Sequence, residues 1–136
     1  MASTTAPTVW ACLSYRDAPA GIDFLKKAFG FEEKLVVTGE DGREVHHAEL
    51  RWAGAGGIML GSYVEGADEF AGRPPGTASI YVVTDEPDAL CERATAAGAT
   101  LVRPLRDEDY GSRGFTVTDL EGNIWSFGTY APEIPA

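Results

Sequence analysis

The sequence predicts an α+β fold built from one βαβββ unit used twice, and three observations carry that expectation. Asp17 and Asp85, Pro19 and Pro87, and Gly30 and Gly98 are each 68 residues apart, a regularity that marks an internal duplication. Short stretches of alternating polar and apolar residues, the pattern of half-buried strands, surround a helical apolar stripe in each half. Clusters of Gly, Pro, Asn and Asp punctuate the places where those strands have to turn.

Taken in order, residues 9–15 read as a strand. Asp17 offers a side-chain cap for a helix with Pro19 in its first turn; Ile22, Leu25 and Phe29 form its apolar stripe, and Gly30 ends it. Strands at 31–38, 45–52 and 57–62 follow, with a turn at 39–42 and Gly54, Gly56 and Gly57 between the last two. Residues 63–77 are rich in Gly and Pro, carry Glu65, Asp68 and Glu69, and read as the connection between halves. The second half repeats the order with a strand at 79–83, Asp85 as cap, Pro87 in the first turn, Leu90, Ala94 and Ala97 as stripe, and Gly98 as stop. A strand at 100–105 and a polar loop at 106–112 lead into a terminal hairpin. There Phe115 and Val117 alternate with Thr116 and Thr118, Asp119 to Asn123 supply turn chemistry, and Trp125 and Phe127 alternate with Ile124, Ser126 and Gly128. The chain reads as a single domain over 1–136, with modules at about 8–62 and 78–130, and its tail after Tyr130 is expected at the surface.

Composition narrows the partners. Eleven Lys+Arg against 21 Asp+Glu give a net charge of -10, which argues against nucleic acid or an anionic membrane and favours solubility or a cationic ligand. No apolar run approaches the ~20 residues of a membrane span, and MASTTAPT lacks the basic start and apolar stretch of a signal peptide, so a cytoplasmic location is expected. Cys12 and Cys91, far apart and outside any CxxC pair, read as buried free thiols.

The terminal pattern Tyr110-Gly-x-Arg-Gly-Phe-x-Val-x-Asp-x-x-Gly-Asn-x-Trp-Ser-Phe, together with the paired strand, Asp-cap and first-turn-Pro units, resembles the vicinal oxygen chelate superfamily. That group contains glyoxalase I, fosfomycin resistance proteins, extradiol dioxygenases and bleomycin resistance proteins. The resemblance, which runs from about Thr8 to Tyr130, implies a cupped, partly open mixed β-sheet barrel with its helices outside, usually completed in a homodimer, and a ligand inside the cup. Metalloenzymes of the family hold a divalent ion on inward side chains of the first and last strands, typically His or Gln and Glu. Matched position by position, those places fall on Trp10, Ala78, Ser126 and either Leu60 or Met59. Indole, methyl, hydroxyl and aliphatic groups make a poor set for a hard cation. The expectation is therefore the metal-free, bleomycin-resistance-like branch, with no cofactor.

Strand phase places Trp10, Cys12, Ser14, Ala78, Ile80, Val82, Thr116, Thr118 and Ser126 toward the cup, and Leu13, Tyr81, Phe115, Trp125 and Phe127 beneath the helices. Trp10 admits two readings, stacking on a ligand or ordinary packing. His47, Glu49 and Arg51 share one strand face, and the expense of burying three ionisable groups turns that face toward the cup or solvent. The 68-residue spacing opposes this, because it matches His47 and Glu49 to Phe115 and Val117. On the cup side, His47 and Glu49 would orient a polar ligand group or act as an acid/base pair; otherwise they form a solvated strand face. Tyr110 and Arg113 either anchor a ligand carboxylate or carbonyl at the rim, or Arg113 pins the loop through Asp107, Glu108 or Asp109.

Three functions fit. The first is metal-independent sequestration of a small aromatic or amphipathic organic molecule, such as a drug or secondary metabolite, in a dimer cup lined by Trp10, Ser14, His47, Glu49, Tyr110, Arg113, Thr116 and Ser126. The second is a glyoxalase-like lyase or isomerase acting on a small carbonyl compound through His47 and Glu49. The third is a scaffold whose ligand role has been lost or lies with a partner.

Overall fold

The computed structural model describes residues 7–53 and 55–133. Expectations placed on residues 1–6, on Gly54 and on the end of the tail lie outside them. Each half folds as expected into a helix and four strands. β1 (Ala11–Tyr15), α1 (Ala18–Phe24), β2 (Glu32–Thr38), β3 (Val45–Arg51) and β4 (Gly57–Ser62) form the first half. β5 (Ser79–Val83), α2 (Pro87–Ala96), β6 (Thr100–Asp107), β7 (Arg113–Thr118) and β8 (Ile124–Gly128) form the second. The strand orders are β1-β4-β3-β2 and β5-β8-β7-β6, two four-stranded sheets rather than one closed barrel. In each, the first and last strands pair in parallel and the remaining pairs are antiparallel.

Asp17 caps α1, its Oδ1 accepting from Ala20 N at 3.1 Å. The helix then widens into a π-helical turn, Leu25–Phe29, before Gly30 stops it in the left-handed region at φ 87°. That turn contributes Leu25, Ala28 and Phe29 to the core. α2 departs from its forecast: Glu86 rather than Asp85 sits at the cap, without a side-chain cap bond, and Cys91 takes a buried position while Ala97 is exposed. β1 starts at Ala11 rather than at Val9, which is exposed. β6 runs two residues beyond its forecast end and tolerates Pro104 because it is an edge strand with irregular register.

The core joins both halves. Phe29 packs on Trp125 and Phe127 with centroids 5.2 and 4.7 Å apart, Phe31 meets Trp125, and Trp52 meets Phe127. A polar hub lies against it. The buried Asp119 carboxylate accepts from Tyr15 Oη (2.7 Å), Trp125 Nε1 (3.0 Å), Asn123 Nδ2 (3.0 Å) and the backbone N–H groups of Glu121 and Asn123. Burial, aided by the adjacent Asp119 carboxylate, pushes the Tyr15 phenol far above the usual tyrosine range. The next acid, Glu121, accepts the backbone N–H groups of Arg16 and Asp17 at 2.6 and 2.8 Å. The hairpin turn of the second half thus holds the β1–α1 junction of the first. Arg93 on α2 does the reverse, donating to the carbonyls of Lys27 and Lys26 at 2.8 and 3.1 Å at the end of the first helix; the Lys26 carbonyl also accepts from Gly30 N.

One strand phase needs correcting. Ala78, Ile80 and Val82 were expected in the cup, yet they pack against the core, and Tyr81 is on the other face, 45% exposed. Parallel pairing fixes this: Ile80 sits beside Trp125 and Val82 beside Phe127, both fully buried. Same-face residues of the two halves are an odd number apart, as with Leu13 and Ile80 or Ala48 and Phe115, so the even 68-residue spacing of the helix landmarks does not carry over to the strands. A one-residue difference exchanges the two faces of a strand.

Candidate functional site

The face of the first sheet turned away from the helices is the open one. Leu13, Tyr15, Ala48, Leu50, Ile58 and Leu60 are buried on the core side. Alternation then leaves Cys12 and Ser14 of β1, Met59 and Gly61 of β4, His47 and Glu49 of β3, and Leu35 and Val37 of β2 on the open side, and pairing groups them: Cys12 with Met59, Met59 with Glu49, Leu35 with Glu49, Val37 with His47. Polarity was therefore the better guide for His47 and Glu49 than the repeat. Gly61 keeps this surface low, since a Cβ there would come within 3.3 Å of the Val45 and His46 carbonyls.

Residues 63–77, read from the sequence as a plain connection, form a strap over this face. The strap folds on itself through Val64 N to Ala71 O and Gly72 N to Asp68 O, at 2.8 and 2.9 Å, with Asp68 Oδ1 accepting from Phe70 N and Ala71 N at 3.0 Å each. Ser14 Oγ reaches up to Phe70 O at 3.4 Å. Between sheet and strap lies a cavity of about 520 Å³, whose lining includes Cys12, Ser14, His47, Met59, Phe70, Arg73, Pro74 and Pro75. Phe70, Arg73 and the two prolines were missed. Their signal was an aromatic and a cation set among turn residues, which a connector does not require.

His47 Nε2 and Glu49 Oε2 are 2.8 Å apart, both about two-fifths exposed. Of the two, His47 lines the cavity and Glu49 does not. Trp10, Tyr110, Arg113, Thr116 and Ser126 are likewise absent from its lining. Trp10 donates its Nε1–H to Pro7 O at 3.3 Å, and its ring comes within 2.8 Å of the position a Cβ on Gly57 would take. Thr116 and Ser126 are hydrogen bonded to each other at 3.0 Å on the second sheet, on the same face as Tyr81. Tyr110 is two-thirds exposed and stacks edge-on against Tyr130. Arg113 forks onto Asp88 at 2.8 and 3.0 Å and reaches Asp107 at 3.3 Å, the pinning arrangement with one partner, Asp88, that was not anticipated. The Arg113 hydrogen bonds hold the Asp88 carboxyl below the usual aspartate range and raise the guanidinium in turn. Of the two thiols, Cys91 is buried, but Cys12 is exposed in the cavity wall, contrary to expectation.

The donor set does not suit the family's metal centre. Leu60 is buried in the core, Met59 takes its place on the open face, and Ala78 packs partly on the core. Among the described residues no three His, Cys, Asp or Glu side chains converge as ligands; His47 and Glu49 supply two donors and lack a third. Also among the described residues, no helix is long and apolar enough to cross a membrane.

Comparison with known proteins agrees with this architecture. TioX from Micromonospora sp. ML1 superposes with a TM-score of 0.75 at 30% identity, over 91% of this chain and all of that one. The fosfomycin resistance protein FosX from Listeria monocytogenes, in a structure complexed with Mn(II), gives 0.62 at 17% identity over 92% and 93%, a likeness of fold alone. The uncharacterized proteins Mb0911c of Mycobacterium bovis and Rv0887c of Mycobacterium tuberculosis are 33% identical across 98% of this chain, covering 90% and 81% of their own lengths. The family model of the Glyoxalase/Bleomycin resistance protein/Dioxygenase superfamily matches residues 8–127. With both helices and every strand but the last residue of β8 inside that match, the chain belongs to this superfamily, the vicinal oxygen chelate group.

Proposed function

We propose that the protein sequesters a small aromatic or amphipathic organic molecule, without a metal ion, in the cavity between the first sheet and the strap, and that a second copy completes the cup. The carrying observation is the cavity itself: about 520 Å³, within the range of small-molecule sites, and walled by thioether, aromatic, proline and hydroxyl groups. Membership alone leaves the chemistry open, since one scaffold hosts several activities. Each sheet also leaves apolar side chains on its open face, Leu35 and Val37 on the first and Tyr81 and Ile124 on the second, all at least 40% exposed. A second copy would cover them and bring Thr116 and Ser126 toward the ligand.

The neutral fluorophore N-phenyl-1-naphthylamine tests the binding reading. Saturable binding at one probe per protomer, lost in Ser14→Trp without a change in thermal unfolding, is expected. Non-saturable binding, or binding indifferent to that substitution, would refute it. The His47–Glu49 pair keeps a second reading, a lyase or isomerase acting on a small carbonyl compound. Turnover of such compounds that vanishes in both His47→Ala and Glu49→Ala would favour it.

A further inference from the structure

The cavity does not share the acidity of the molecule as a whole. The chain carries about two acids per base, yet the lining holds one guanidinium, Arg73, for its one carboxylate, Asp68, with the imidazoles of His46 and His47 beside them. That carboxylate is tied to the strap's own backbone, its Oδ1 accepting from the N–H groups of Phe70 and Ala71. His46 turns its ring aside, with Nδ1 3.5 Å from Glu44 and Nε2 beside Gly39. Glu49 is paired with His47 and is not part of the lining. Arg73 makes no ion pair or side-chain hydrogen bond among the described residues, and a guanidinium offers five donors in a fixed fork that matches a carboxylate. It stands in the strap next to Pro74 and Pro75, within one residue of an apolar wall.

We infer that the ligand is an amphipathic organic acid, its ring seated against Met59, Phe70, Pro74 and Pro75 and its carboxylate held by Arg73. This rests on the binding reading above and narrows it. It also reverses the expectation of a cationic ligand drawn from net charge. Exposed charges act over roughly 8 Å at physiological ionic strength, so the groups of the cavity decide selectivity and the distant acids do not.

Three probes of one shape separate the possibilities: 2-naphthoate, 2-naphthamide and 2-naphthylmethylamine, titrated calorimetrically at pH 7.5 in 0.15 M salt. Naphthoate is expected to bind about fivefold or more tighter than the amide, with the amine weakest. In Arg73→Gln, whose exposed loop position leaves folding intact, the preference for acid over amide should collapse to within about twofold, while Arg73→Lys retains part of it. Equal binding of acid and amide, a preference for the amine, or a preference unchanged in Arg73→Gln would overturn the inference and leave the binding reading standing. If neither these probes nor N-phenyl-1-naphthylamine bind, both fall.

Discussion

Replacing Tyr15 with Phe tests whether the Asp119 hub couples the two halves. The substitution keeps the ring in its fully buried site and removes only the hydroxyl that donates to Asp119 Oδ2 at 2.7 Å. A hydrogen bond to a charged acceptor contributes about 1.5–3 kcal/mol, and an acceptor that keeps other donors falls at the lower end. Oδ2 retains Trp125 Nε1 and Asn123 Nδ2, so about 2 kcal/mol should be lost in urea denaturation at pH 7, or roughly 5–8 °C in Tm for a chain of this size. Asp119→Ala should cost more, because it strands four buried donors, Tyr15 Oη, Trp125 Nε1 and both the Nδ2 and backbone N–H of Asn123, at about 1–3 kcal/mol each. Adding Tyr15→Phe to Asp119→Ala should then be neutral or stabilising, since it removes an orphaned hydroxyl. The pH dependence has a definite sign. The folded-state phenol titrates far above its unfolded value near 10, so its contribution is intact below pH 10 and is lost as pH rises beyond it. Tyr15→Phe should flatten that alkaline decline. A loss under 0.5 kcal/mol, or additive effects in the double variant, would refute the coupling.

Other outcomes follow from single contacts. Gly76→Ala should destabilise by about 2 kcal/mol or more, seen in thermal unfolding, because Gly76 has φ 82° and a Cβ would lie 2.3 Å from Glu121 O. Arg93→Met should cost about 1–2 kcal/mol by leaving the Lys27 carbonyl without its side-chain donor and removing one of the two donors on the Lys26 carbonyl. Asp88 titrates below its ordinary value in the folded protein, so its pairing stabilises above that value and fades as pH falls through the folded one; acid unfolding of Arg113→Gln should show a shallower slope there. Light scattering with size exclusion should give about twice the 14.5 kDa of one chain, and Tyr81→Glu together with Ile124→Lys should reduce it to one.

The helices and the terminal hairpin were legible because their signals are local. Asp17, Pro19 and Gly30 each act within one turn of chain, and Trp125 and Phe127 alternate with Ser126 in a way only a one-sided strand satisfies. The facing of β5 was not legible, because Ile80, Tyr81 and Val82 are all plausible core residues and only pairing with β8 decides among them. The same limit hid the site. Phe70 and Arg73 are ordinary loop residues until the strap folds back over β1 and β4, a long-range event with no local signature. His47 and Glu49 were readable because charge on a strand face carries its own cost. Arg113 was readable only in its alternatives, since its partner Asp88 lies on a helix well before it in sequence.

The aromatic core spanning both halves has a consequence for the integrity of the chain. Phe29, Phe31 and Trp52 rest on Trp125 and Phe127, while the strap contributes little to that seam, so covalent continuity through residues 63–77 is not what keeps the halves together. A polypeptide nicked between Gly66 and Glu69 should stay associated as two complementary fragments, and either fragment alone would expose indole and phenyl groups to water and aggregate.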